Sequence, residues 1–67
     1  MKNRLKEIRA SKGITQEELA IAAGISRTTL SQIETESSVP VAETVAKLVK
    51  ALNVPANRIF YAFDVVF

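Results

Sequence analysis

The side chains that could do chemistry in this sequence are carboxylates, hydroxyls and amines, because the chain contains neither histidine nor cysteine. Zinc sites, haem ligation, disulfides and Ser-His-Asp catalysis each need one of these two residue types. The seven carboxylates include no clustered aspartates and form no credible acid-base pair or metal cage. We therefore expect no enzymatic activity, no bound metal and no cofactor.

Positive charge is concentrated at the amino end of the chain. The first twelve residues contain Lys2, Arg4, Lys6, Arg9 and Lys12, whereas residues 13–38 hold one arginine against four glutamates. A basic end suits a polyanionic partner such as nucleic acid. Basic side chains that only keep a helix face soluble explain the pattern equally well, so both interpretations stay open.

Length and composition predict one small folded domain spanning residues 1–67. The chain has 67 residues, of which 48% are hydrophobic and 24% are charged, which suits a globular domain smaller than usual enzyme folds. No apolar run approaches the ~18 residues of a membrane span, and the amino end lacks a secretory signal. We expect a cytoplasmic protein with no membrane association and no small-molecule ligand.

Two helix starts lie close together in the middle of the chain. Thr15, followed three residues later by Glu18, has the pattern of a capping box, and Ser26 is a second N-cap residue. Gly24 stands between them, where the end of a helix favours a left-handed residue. Two short helices joined by a turn with one glycine predict a helix-turn-helix over residues 16–35.

Three further helices are expected around this motif. One precedes Gly13 over residues 4–12, an amphipathic one follows Pro40 with apolar positions from Val41 onwards, and a short one covers residues 56–60. The predicted fold class is therefore all-α, a compact bundle of five short helices. Within the motif, the expected inward positions are Leu19, Ala20, Ala23, Gly24, Ile25, Leu30 and Ile33.

The carboxyl end has the alternation of a β-strand over residues 61–67. Its alternate positions are Tyr61, Phe63, Val65 and Phe67. A lone strand in a helical bundle has no sheet to join, and an apolar strand edge left in water promotes aggregation. We predict that it pairs with the same strand of a second copy and that these four residues form the contact of a homodimer. The alternative is a tail that covers the core of its own chain.

The run ITQEELAIAAGISRTTLSQIE, followed by VP and a helix that ends in ALNVP, resembles the Cro/CI or XRE family of helix-turn-helix regulators. The likeness extends over roughly residues 4–60. Members of this family are lambda-repressor-like helical bundles that use the second and third helices to read DNA, usually as dimers. The resemblance implies that double-stranded DNA is the partner of this chain.

The same resemblance assigns individual residues to DNA. It implies that Gln16 contacts the DNA backbone and braces the recognition helix, and that Arg27, Thr28 and Gln32 read base edges in the major groove. Arginine can form paired hydrogen bonds with guanine, glutamine can do so with adenine, and a threonine methyl can contact the thymine methyl. The complete set is Gln16, Ser26, Arg27, Thr28, Thr29, Ser31 and Gln32, where Ser26 begins the recognition helix and Thr29 and Ser31 lie nearer the phosphates.

Two further positions acquire an expected role from the resemblance. It implies that Arg9 and Glu34 form an ion pair that ties the first helix to the end of the recognition helix. Glu36 occupies a loop position at which many relatives carry glycine, with a lysine or asparagine nearby that contacts phosphate. We predict a sequence-specific transcriptional repressor that binds a two-fold operator as a homodimer. The alternative is an antitoxin- or coactivator-like protein-interaction module that binds DNA weakly.

Overall fold

The computed structural model describes residues 2–62. Its elements, in chain order, are β1 (Lys2–Asn3), α1 (Leu5–Ser11), α2 (Gln16–Ala23), α3 (Arg27–Glu34), α4 (Ala42–Leu52), α5 (Ala56–Ile59) and β2 (Phe60–Ala62). The five helices and the central helix-turn-helix formed by α2 and α3 confirm the predicted fold class.

The ends of α2 and α3 follow the local signals in the sequence. The Thr15 hydroxyl accepts a hydrogen bond of 3.1 Å from the Glu18 N–H, and the Glu18 carboxylate accepts one of 2.8 Å from the Thr15 N–H. Ser26 Oγ accepts from the Thr29 N–H at 3.0 Å, which caps α3. Gly24 ends α2 in the left-handed conformation with φ +70°, a geometry that glycine adopts without strain. The expected capping box and caps are thus confirmed.

The core is formed by apolar residues from all five helices and β2. Within the described residues, the buried set is Leu5, Leu19, Ala20, Ala23, Leu30, Ile33, Leu48, Leu52, Ile59 and Phe60. One expected inward position is wrong: Gly24 is exposed because it forms the turn and has no side chain to bury. Val41, the first apolar position expected for the helix after Pro40, is 65% exposed and lies immediately before α4.

The two ends of the described chain pair with each other. β1 runs antiparallel to β2, with Asn3 opposite Phe60 and Lys2 opposite Ala62, and the register is irregular between these pairs. Phe60, expected to end α5, begins β2 instead and is buried. The expectation that the carboxyl-terminal strand has no sheet to join within its own chain is therefore wrong. A strand as short as β1 carries too little alternation to be detected from sequence.

The predicted strand over residues 61–67 is described only at its beginning. Residues 61 and 62 belong to β2. Phe63, Val65 and Phe67, three of the four predicted dimer contacts, lie outside the described residues. Pairing of this strand across a dimer stays a prediction.

Glu36 occupies a turn position that favours glycine. Its φ is +64°, in the left-handed region, and its side chain is exposed. The turn is closed by backbone hydrogen bonds from Glu36 N–H to the Ile33 carbonyl at 3.0 Å and from Ser37 N–H to the Gln32 carbonyl at 2.9 Å. Because Cβ crowds the carbonyl oxygen in this conformation, a residue other than glycine costs about 1–2 kcal/mol here.

We expect Glu36→Gly to raise the free energy of unfolding by about 1 kcal/mol, since relief of the left-handed strain exceeds the entropy that glycine adds to the unfolded chain. Glu36→Gln is the matched control, because it removes the charge and keeps the strain, and it should stay within about 0.5 kcal/mol of the parent. Urea denaturation measures both. Equal stabilisation by the two variants would show that charge repulsion, not backbone conformation, is the cost at this position.

Candidate nucleic-acid interface

The outer face of α3 carries the polar side chains that the resemblance assigned to DNA. Arg27, Thr28 and Gln32 are exposed, whereas Leu30 and Ile33 are buried on the opposite side of the same helix. The helical repeat of 3.6 residues separates these two sets, because positions 27, 28, 31 and 32 fall on one side. The core therefore holds α3 from behind and leaves its polar side open.

Gln16, the first residue of α2, completes a shallow depression with this face. The depression is lined by Gln16, Arg27, Thr28, Ser31 and Gln32. These five residues come from two helices that the turn at Gly24 holds together. The structure thus brings most of the predicted DNA-contact set into one continuous concave surface.

The other two predicted contacts, Ser26 and Thr29, bond to each other at the start of α3. Ser26 Oγ accepts from the Thr29 N–H and donates to Thr29 Oγ1 at 2.7 Å. Their observed role is to begin α3. The Thr29 hydroxyl accepts from Ser26 and keeps its own hydrogen available, so donation to a phosphate is compatible with this geometry.

The Glu34 carboxylate joins three elements behind the depression. It accepts hydrogen bonds from Arg9 Nε at 3.0 Å, from Arg9 Nη2 at 3.2 Å and from Gln16 Nε2 at 3.1 Å. The Arg9 and Glu34 side chains are only 15% and 5% exposed. Arg9 Nη1 also donates to the Ile14 carbonyl at 3.2 Å, so the pair links α1, the start of α2 and the end of α3.

Asn3 is a structural residue that sequence reasoning missed. Its Nδ2 donates to the Ile33 carbonyl at 2.8 Å, and its Oδ1 accepts from the Leu5 N–H at 3.1 Å. Asparagine two positions before the first helical N–H is a local turn signal that could have been noticed. Its contact with the end of α3 could not, because the two residues are thirty positions apart.

Tyr61, the one predicted dimer residue that the structure describes, has a partner in its own chain. The Arg4 guanidinium carbon lies 4.6 Å from the centroid of the Tyr61 ring, a cation–π distance. The tyrosine is still 48% exposed. Its side chain therefore stabilises the packing of β2 against the residue that precedes α1, and about half of its surface stays exposed.

The charge around the depression is mixed. Arg27 is the one cation among the five lining residues, and Glu17 and Glu18 lie in the first turn of α2. The Thr15 backbone N–H, with a smaller contribution from the Thr15 side chain, holds the pKa of the Glu18 carboxyl below its usual value of 4.5. This carboxylate is therefore charged at neutral pH, and Arg27 supplies the positive charge that faces outward from the depression.

Residues 2–62 show neither a metal site nor a membrane-spanning helix. Residues 2–62 contain no group of histidine, cysteine, aspartate or glutamate side chains that could hold a metal ion. None of the helices described in that range combines the length and apolar character needed to cross a membrane.

Comparison with known proteins relates residues 5–59 to a family model described as helix-turn-helix. The chain is 36% identical over 61 residues to the uncharacterized HTH-type transcriptional regulator YgzD of Bacillus subtilis (strain 168), an alignment that covers 91% of this chain and 92% of that protein. Among solved structures, the restriction-modification controller protein C.AhdI from Aeromonas hydrophila matches with a TM-score of 0.80 and 32% identity, covering 85% of this chain and 86% of that one.

Proposed function

The chain belongs to the Cro/CI (XRE-type) helix-turn-helix family of DNA-binding regulators, and we propose that it is a cytoplasmic, sequence-specific transcriptional regulator without enzymatic activity. In this proposal the whole chain forms one DNA-binding domain. The observation that carries this proposal is the outer face of α3, where the side chains of Arg27, Thr28 and Gln32 are exposed to solvent.

The proposed contacts follow the hydrogen-bonding chemistry of the side chains. Arg27 and Gln32 reach base edges in the major groove. Arg27 forms two hydrogen bonds with guanine, Gln32 forms two with adenine, and the methyl group of Thr28 contacts the methyl group of thymine. Ser31 and Thr29 lie at the margin of this face and suit phosphate oxygens. Gln16 braces Glu34 with its amide nitrogen and lines the same depression, which suits a contact to the DNA backbone.

We further propose a homodimer that acts as a repressor by occluding a two-fold operator. Two recognition helices related by a two-fold axis read half-sites about one helical turn, roughly 34 Å, apart. Pairing through Tyr61, Phe63, Val65 and Phe67 is the proposed contact. β2 supports it because, within residues 2–62, β2 pairs with β1 along one edge and no second strand pairs with the opposite edge.

A second candidate is a protein-interaction module with weak DNA binding. Glu36 supports it, because an exposed carboxylate at the end of α3 repels phosphate from a position next to the proposed reading face. In that case Arg27 contributes charge but selects no base.

Selection of bound duplexes from a random DNA pool tests the proposal and its alternative together. We expect one enriched motif with two-fold symmetry and half-sites about one turn apart. Enrichment of a single half-site would contradict the homodimer but would still support a sequence-specific regulator. A pool that enriches no motif would overturn sequence-specific regulation and favour the protein-interaction module.

A further inference from the structure

A second groove lies between α1 and α5, on the opposite flank of α1 from Arg9. It is lined by Arg4, Ile8, Ser11, Lys12, Val54 and Arg58, and it shares no lining residue with the depression beside α3. Ile8 and Arg9 are separated by about 100° around the helix, on either side of the buried Leu5. Arg9 turns toward the end of α3, and Ile8 turns toward this groove.

The groove is positively charged and has an apolar floor. Arg4, Lys12 and Arg58 lie at its margin, and none of residues 2–62 contributes a carboxylate to its lining. Within residues 2–62, neither Lys12 nor Arg58 forms an ion pair, and Arg4 lies over the Tyr61 ring, which positions the guanidinium without neutralising it. Ile8 and Val54 are half-buried and pack against the core.

We propose that this groove binds an acidic segment of a partner protein, one in which carboxylates flank apolar side chains. The carboxylates would meet Arg4, Lys12 and Arg58, and the apolar side chains would cover Ile8 and Val54. Charge complementarity selects an anionic occupant. The apolar floor favours polypeptide over DNA backbone, because burial of apolar side chains stabilises a peptide complex and adds nothing to a contact with phosphate. This partner site goes beyond the proposed DNA binding and does not depend on it.

The test uses the full chain and a fluorescein-labelled octapeptide in which two leucines lie between glutamates. We expect binding that perturbs the NMR amide signals of Ile8, Ser11, Val54 and Arg58 and leaves those of α3 unchanged. Arg58→Glu should weaken peptide binding by about tenfold or more, because it places a like charge beside the carboxylates of the peptide. Lys50→Glu makes the same charge change at an exposed position of α4 outside the groove, and should weaken peptide binding by less than about twofold.

Three results would overturn the proposal. Equal binding of an all-glutamate octapeptide would show that the apolar floor plays no part. Equal losses for Arg58→Glu and Lys50→Glu would show general attraction to a basic protein. A loss of affinity for a DNA duplex in Arg58→Glu as large as that for the peptide would make the groove a phosphate contact. Lys12→Glu repeats the measurement if Arg58→Glu fails to fold. Failure of the parent protein to bind DNA at all would remove the proposed function, and the two peptide comparisons would still test the groove.

Discussion

Replacing Glu34 with alanine is expected to lower the free energy of unfolding by about 3–5 kcal/mol. The carboxylate is 5% exposed and accepts hydrogen bonds from Arg9 and Gln16, so its removal leaves the Arg9 guanidinium largely buried without its counter-charge. Small domains lie near the lower end of the usual 5–15 kcal/mol range of stability. The variant should therefore be substantially unfolded in modest urea, as measured by circular dichroism.

Two controls distinguish the loss of this buried ion pair from the smaller effect of losing a surface ion pair. Glu43 and Lys47 form a surface pair at 3.5 Å with side chains 78% and 43% exposed, so Glu43→Ala should change stability by no more than about 0.5 kcal/mol. Replacing both Arg9 and Glu34 with methionine should recover most of the loss, because no buried charge is left unpaired. A Glu34→Ala variant as stable as Glu43→Ala would show that the buried pair does not hold the recognition helix in place.

Replacing Arg27 with alanine should weaken binding to the selected operator by about 10- to 100-fold at fixed salt, the value of one good bidentate contact to a base. Its side chain is exposed at the first position of α3 and lines the depression, so the protein should keep its stability. Fluorescence anisotropy at several salt concentrations measures both the affinity and its salt dependence. A variant with unchanged affinity and salt dependence would contradict the proposed reading face.

The conservative change at this position distinguishes base reading from charge. Arg27→Lys keeps the positive charge but loses the planar fork, so affinity for unrelated duplexes should be retained while preference for the operator falls. Lys50→Ala removes a positive charge from an exposed position of α4 and should leave operator preference unchanged. If Arg27→Lys preserves full operator preference, Arg27 contacts phosphate rather than a base edge.

The helix boundaries around the recognition helix could be predicted because their causes are local. The capping box of Thr15 and Glu18, the Ser26 cap and the left-handed Gly24 each act over three or four residues, so a short run of sequence contains all the groups involved. The three-residue spacing of the apolar residues Leu30 and Ile33, with polar residues at the positions around them, likewise indicated which side of α3 faces outward.

Residues that act across the fold were harder to predict. The Arg9–Glu34 pair and the bracing role of Gln16 were expected only through family resemblance, and the structure identifies the bracing contact as a hydrogen bond from Gln16 to Glu34. Asn3 was missed altogether, although its amide bonds the last turn of α3. Such contacts join residues far apart in sequence, and no periodicity or cap relates them.

The sequence by itself determined the helices, the turn between α2 and α3, and the polar character of the recognition face, because capping and periodic burial are short-range effects. Only the tertiary structure decided that β2 pairs with Lys2–Asn3 and that Arg4, Lys12 and Arg58 surround one groove. Both features depend on how separate elements meet, and the packing of the whole chain sets that.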